Sequence, residues 1–201
     1  TSSNPMSSWS LLVNSTNLLP GVHYPICVDL DGPNPRLSAG DSGLKAYVTG
    51  VRAIEPSTLL LSPYATLALS CEPMGCSMNM TAWLAFSCDS PIAPVGMSDV
   101  HTAPMVPAVL SENAASATLV LDTRTLNPGV YLQLCIDADG PSGSLLPGSV
   151  GDPIYISAIA DVPSQGLPAF SHRLVIRCAA DTCSNISEGY LAVNCTNVGN
   201  P

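Results

Sequence analysis

The sequence predicts an all-β chain assembled from sandwich units of about 107 residues. Three observations lead there: a long internal repeat, a repeated cysteine spacing, and short alternating apolar runs punctuated by Gly and Pro. The repeat is plainest where LPGVHYPICVDLDGP at 19–33 returns as NPGVYLQLCIDADGP at 127–141, with eight of fifteen positions identical. Gly43, Tyr47 and Val51 continue the match 108 positions on as Gly151, Tyr155 and Ile159. The cysteines set a second register, because the spacing C-x4-C-x11-C at 71–88 recurs 107 positions later at 178–195.

The phase of the repeat divides the chain unequally. Residues 1–54 match the back half of a unit, 55–162 form one whole unit, and 163–201 match the front half of another. Two readings follow. Either each terminal half finds a complement, since half a small sandwich cannot bury its apolar face alone, or the 201 residues are a window on a longer tandem array.

Within the back half, strands are expected near 10–14, 22–28 and 45–51. The whole unit should carry them near 58–62, 65–71, 82–88, 117–122, 130–136 and 153–160, and the front half near 172–178 and 189–195. Side chains on a strand alternate between faces. Val130, Leu132, Leu134 and Ile136 therefore share a core face, as do Val22, Tyr24, Ile26 and Val28 in the earlier copy. Leu67, Leu69 and Cys71 form another such face, and Leu84, Phe86 and Cys88 a third. The segment 91–107 holds four prolines, which excludes a central strand.

The run LDTRTLNPGVYLQLCID at 121–137 resembles the end of strand E, the turn and strand F of immunoglobulin-like and fibronectin-type domains. Leu126, Pro128, Gly129 and Tyr131 are similar to the tyrosine-corner region of those folds, although Tyr131 stands four residues before Cys135 rather than two. The resemblance covers the whole unit and implies tandem immunoglobulin-like β-sandwiches. More loosely, tandem cysteine-bearing, glycosylated units resemble the building blocks of extracellular filaments, such as mastigoneme hairs or strand-exchanging pilins.

Bulk properties narrow the function. The chain is 46% hydrophobic with 10% charged and 5% aromatic residues, so its cores should be aliphatic and its surface needs hydration from something other than charge. A net charge of -9 with six Lys plus Arg speaks against nucleic acid or an anionic membrane as partner. No run approaches the length of a membrane span. The start at Thr1 reads as a mature chain from which any leader has been removed.

Eight cysteines spaced alike in both copies read as a disulfide framework made in an oxidising compartment: Cys27, Cys71, Cys76, Cys88, Cys135, Cys178, Cys183 and Cys195. Zinc is disfavoured because no histidine adjoins the motif. The whole unit's four cysteines allow three connectivities. A local Cys71–Cys76 clasp with Cys88–Cys135 between strands is preferred, against the alternation that puts Cys88 and Cys135 on opposite faces. Four sequons, at Asn14, Asn79, Asn185 and Asn194, predict N-linked glycans, with O-glycans expected on 91–107.

Other motifs have plainer readings. Asp29-x-Asp31-Gly and Asp137-x-Asp139-Gly could contribute to a calcium site, but turn chemistry explains them with fewer assumptions. GDSG at 40–43 matches the nucleophile loop of chymotrypsin-like proteases in letters only, since the other copy reads GSVG. Trp83 and Tyr190 are equivalent strand aromatics, either partly covered or available for contact. No constellation of nucleophile, base and orienting group supports an enzyme.

The expectation is an extracellular, glycosylated structural subunit that polymerises with copies of itself and needs no cofactor. A secreted adhesion module binding a carbohydrate or protein ligand is the alternative. Leu11, Val13, Val22, Tyr24 and Ile26 at one end, and Leu174, Ile176, Leu191 and Val193 at the other, are the expected inter-subunit packing residues.

Overall fold

The computed structural model describes residues 10, 12–30, 32, 37–73, 75–89, 101–111, 114–161, 175–179 and 182–189. Every regular element among them is a strand. A hairpin of β1 (His23–Val28) and β2 (Gly40–Tyr47) comes first, followed by β3 (Val51–Glu55) and, past the cis Glu55–Pro56 bond, β4 (Thr58–Leu60). Then come β5 (Ala65–Cys71), β6 (Thr81–Ala85), β7 (Val109–Leu110), β8 (Ser116–Leu121), β9 (Tyr131–Asp137) and β10 (Gly148–Ser157). The short β11 (Ile159–Asp161) and β12 (Arg177–Cys178) complete the set.

Two four-stranded sheets make a β-sandwich. One has the order β4-β10-β9-β6 and the other β3-β5-β8-β7, with β4 parallel to β10 and the remaining neighbours antiparallel. Alternation closes the core: Ala65, Leu67, Leu69 and Cys71 of β5 are buried while Thr66, Ala68 and Ser70 are exposed. Leu119 and Leu121 of β8 join them on one side, and Leu84, Leu132, Leu134, Ile154 and Ile156 meet them from the other sheet. Each such aliphatic side chain withdrawn from water contributes roughly 1.5–3 kcal/mol before entropy is subtracted. Buried Thr123 links loop to strand, its Oγ1 donating to the Leu60 carbonyl at 2.7 Å.

The outer edge of β6 is covered. Ala82 and Met105 exchange both backbone bonds at 2.9 Å, and Thr102 N–H donates to the Leu84 carbonyl at 3.0 Å. This part of the proline-bearing segment thus lies beside a sheet without entering it, which blunts an edge that would otherwise recruit another chain.

Several boundaries differ from expectation, each for a physical reason. The strand expected at 82–88 stops at Ala85, so alternation lapses and Cys88 turns away from the core face. The strand expected at 45–51 breaks into β2 and β3 across Val48 to Gly50. There Gly50 and Gly75 approach so closely that a Cβ on either would strike the other's backbone. The strand expected at 153–160 begins earlier, at Gly148, and breaks at Ala158. Of the strand expected at 10–14, the described residues are not in a strand; Leu12 is 99% and Val13 60% exposed. A strand needs a neighbour to take its backbone bonds. Of 172–178, residues 172–174 lie outside the described residues and, among the rest, Arg177 and Cys178 pair; most of 189–195 also lies outside.

Pairing recurs with the sequence offset. The pairs His23↔Tyr47, Tyr24↔Ala46, Pro25↔Lys45, Cys27↔Asp41 and Val28↔Gly40 return 108 positions later as Tyr131↔Tyr155, Leu132↔Ile154, Gln133↔Pro153, Cys135↔Ser149 and Ile136↔Gly148. The bulge between Asp41 and Lys45 reappears between Ser149 and Pro153, with Gly43 and Gly151 both at positive φ. Likewise Val51↔Cys71 and Ala53↔Ser70 correspond to Ile159↔Cys178 and Asp161↔Arg177.

Candidate functional site

The β1–β2 hairpin docks through its Tyr47 end on the 136–148 connection of the sandwich. Tyr47 donates its hydroxyl to the Ile136 carbonyl at 3.0 Å, and its ring covers Gly148, where a Cβ would run into the ring. Beside it, the His23 ring bonds the Pro147 carbonyl at 3.0 Å and tilts against Tyr47 with centroids 5.0 Å apart. Gly21, at φ +85°, sits where a Cβ would be 2.7 Å from Ala138 and 2.8 Å from Leu145. Glycine, with no side chain and free access to positive φ, satisfies both demands.

The acidic residues at this end are engaged as turn formers. Gly140 N–H donates to Asp137 Oδ1 at 3.1 Å, while Ser144 and Leu145 N–H donate to Asp139 Oδ2 at 2.7 and 3.1 Å. Desolvation works against the charged form of Asp139, but the Leu145 and Ser144 N–H groups hold its carboxyl below the ordinary value. Desolvation and the neighbouring Asp139 raise Asp137. Burial, with the charges of Asp137 and Asp139 behind it, pushes the Tyr47 hydroxyl up to about 12. Among the described residues no group of three or more His, Cys, Asp or Glu is placed to hold a metal ion. Asp29 is exposed, and Asp31 lies outside the described residues.

The hairpin carries bare edges. β9 and β10 are flanked by β6 and β4, whereas β1 and β2, among the described residues, pair only with each other. Val22, Tyr24 and Ile26 are half-buried, while Leu44 is exposed. Cys27 is an exposed free thiol.

Three disulfides are present among the described residues. Cys71–Cys76 and Cys178–Cys183 are clasps with the same Cα–Cα separation, 5.9 Å, and Cys88–Cys135 joins residues 47 apart with Cα atoms 5.3 Å apart. Because β6 ends before Cys88, that bond lies on the outer face with Ala85, under half-buried Trp83, and not in the main core. Cys178 and Cys183 bond each other and so leave neither thiol for Cys27, and Cys195 lies outside the described residues.

The remaining sequence candidates fall as follows. Asn14, Asn79 and Asn185 are exposed, and Asn194 lies outside the described residues. So do Leu11, Leu174, Leu191, Val193 and Tyr190, whereas Val13 and Ile176 are exposed. Ser42 of GDSG belongs to the β2 bulge, its Oγ accepting from Leu44 N–H at 3.2 Å, with Asp41 bonding Gly43 N–H at 2.9 Å. The junction residues His23, Tyr47, Gly21 and Gly148 were missed in the sequence as a contact, although their repeat counterparts Tyr131, Tyr155, Gly129 and Gly40 marked the positions.

No helix among the described residues is long and apolar enough to cross a membrane. No protein family, curated protein or solved structure matches the chain.

Proposed function

We propose that the protein is a structural, non-enzymatic glycoprotein of an extracellular filament, joined end to end by completing an immunoglobulin-like sandwich between successive copies. One observation carries this reading: the β1–β2 hairpin reproduces every pair, the bulge and the positive-φ glycines of β9–β10 but, among the described residues, has neither flanking strand. The sequence counterparts of those flanking strands, 107 positions after β4 and β6, fall at 165–167 and 188–192. A second copy's hairpin therefore fits between them as β9 and β10 fit between β6 and β4. The order β3-β5-β8-β7 against β4-β10-β9-β6 is similar to that of immunoglobulin-type sandwiches, which supports the unit's assignment.

Cysteine equivalence supports the joint. Cys27 stands where Cys135 stands, and Cys195 where Cys88 stands, so the bond made by Cys88 and Cys135 has its counterpart between Cys195 of one copy and Cys27 of the next. A heterologous contact that does not close propagates into a filament. Three disulfides and the exposed sequons suit an oxidising, glycosylating route to the cell exterior.

Electron microscopy and non-reducing electrophoresis of the purified chain test the reading. Filaments and a covalent ladder that collapses on reduction are expected, with deletion of residues 1–30 leaving unpolymerised protein. Monodisperse monomers at high concentration would overturn it and favour an adhesion module. Deglycosylation in heavy-oxygen water should tag Asn14, Asn79, Asn185 and Asn194; untagged asparagines would remove the glycoprotein part.

A further inference from the structure

We propose that Asn79 receives its glycan only while β6 is still unpaired, and that closure of the Cys88–Cys135 bond ends its access to the transferring enzyme. The inference rests on the glycoprotein reading above and names the stage of folding at which this one site is modified.

N-glycosylation draws its sugar from a lipid-linked oligosaccharide pyrophosphate. The asparagine amide nitrogen forms the new bond to the sugar C1, the bond from C1 to the pyrophosphate oxygen breaks, and the amide gives one proton to a base of the enzyme. The lipid pyrophosphate leaves. Because the enzyme must hold that amide together with the hydroxyl two residues on, every residue of a sequon has to be reachable.

In the folded chain the Asn79 sequon meets half of this requirement. Asn79 is exposed, but Met80 is 1% and Thr81 7% exposed, and Thr81 opens β6 paired with Asp137 of β9. The Asn79 carbonyl also lies against Gly140, where a Cβ would come within 2.1 Å of its oxygen. Just beyond the sequon the strand is held on both edges, since Ala82 pairs with Ile136 of β9 and exchanges backbone bonds with Met105. Met80, Ala82 and Leu84 belong to the core. Lifting Thr81 into an enzyme site would therefore peel β6 away and draw those side chains into water.

The order of the chain and the disulfide set the limits of the window. Asp137, the partner of Thr81, comes later in the sequence, so a chain made from its N-terminus presents Asn79 before β9 exists to cover it. Cys135 stands opposite Trp83 in the β6–β9 ladder, and Cys88 lies just past the end of β6 at Ala85. Their bond ties the two strands together. Two other sequons carry no such lock: Asn14, Ser15 and Thr16 are all exposed and outside strands, as are Asn185, Ile186 and Ser187.

Those two sites are the internal controls of the test. The full chain, made in a host without N-glycosylation and folded with its disulfides closed, is incubated with purified oligosaccharyltransferase and lipid-linked oligosaccharide, and transfer to each asparagine is followed by peptide mapping. Compared with the same chain reduced, alkylated and unfolded, folded Asn79 should be modified about tenfold or more slowly, whereas Asn14 and Asn185 should change by no more than about threefold. Cys88→Ala/Cys135→Ala, shown by melting to be folded, should raise the Asn79 rate by about threefold or more and leave Asn14 as in the parent. If Asn79 is modified as fast in the folded chain as in the unfolded one, the timing is wrong while the glycoprotein reading stands. If the folded double variant is no faster than the parent, the role given to the disulfide is wrong. An Asn79 that stays bare even in the unfolded chain would overturn the inference whole, and Asn14 and Asn185 would then decide the glycoprotein reading.

Discussion

Tyr47 covers Gly148 with its ring and donates its hydroxyl to the Ile136 carbonyl at 3.0 Å, so one side chain joins the first hairpin to the far end of β9. Replacing Gly148 with Val should drive the ring out. Overpacking of this kind costs about 1–3 kcal/mol, and Tyr47→Phe, which loses only the hydrogen bond, about 1 kcal/mol. Hydrogen exchange should show faster exchange in residues 23–47 for Gly148→Val, with the core strands β5, β8 and β9 unchanged. Equal loosening of both regions would mean that the junction is not a separate contact.

The same tyrosine makes the junction sensitive to alkali. Its hydroxyl pKa is raised in the folded chain to about 12 from 10.0, by burial and then by Asp137 and Asp139, so folding favours the neutral form. The contribution is complete below pH 10 and is lost as pH rises from 10 towards 12. Absorbance titration at a phenolate wavelength should resolve one late tyrosine that disappears in Tyr47→Phe. Simple titration of all tyrosines near the ordinary value would contradict the buried contact.

Unequal losses are expected from the disulfides. On the chain-entropy relation, opening the bond across 47 residues between Cys88 and Cys135 costs about 4 kcal/mol, against about 2 kcal/mol for the five-residue Cys71–Cys76 clasp. Chemical denaturation of Cys88→Ala/Cys135→Ala and Cys71→Ala/Cys76→Ala should rank in that order. The reverse ranking would show that the clasp fixes the sheet corner by more than loop closure.

Chelation should leave the melting temperature unchanged, because Asp137 and Asp139 spend oxygens on the N–H groups of Gly140, Ser144 and Leu145. Asp139→Ala removes the oxygen that accepts from both Ser144 and Leu145 N–H and should lower the melting temperature. A fall of more than about 10 °C on adding chelator would instead mark a calcium site.

Strand identity was legible in the sequence wherever alternation and β-branched or aliphatic residues agreed. Leu67, Leu69, Leu132, Leu134 and Ile136 were assigned to the core from period alone, and they are buried. The hairpin offset of 108 was equally plain, because identical turn residues impose identical backbone: Gly21 and Gly129, Gly32 and Gly140, and Gly43 and Gly151 share positive φ pair by pair. Alternation failed at Cys88, since period does not announce where a strand ends, and the end of β6 at Ala85 reverses the face on which the disulfide lies.

By itself the sequence determined the all-β class, the cysteine register and the positions of the turns, all of which depend on local backbone preference and side-chain period. Only the tertiary structure decided which ends touch. Tyr47 and Tyr155 occupy equivalent places in equivalent hairpins, yet one covers a glycine and the other is not so placed. Local propensity is the same for both; the difference is a neighbouring unit within reach of one and not of the other, and contacts between distant segments carry no period for a sequence to display.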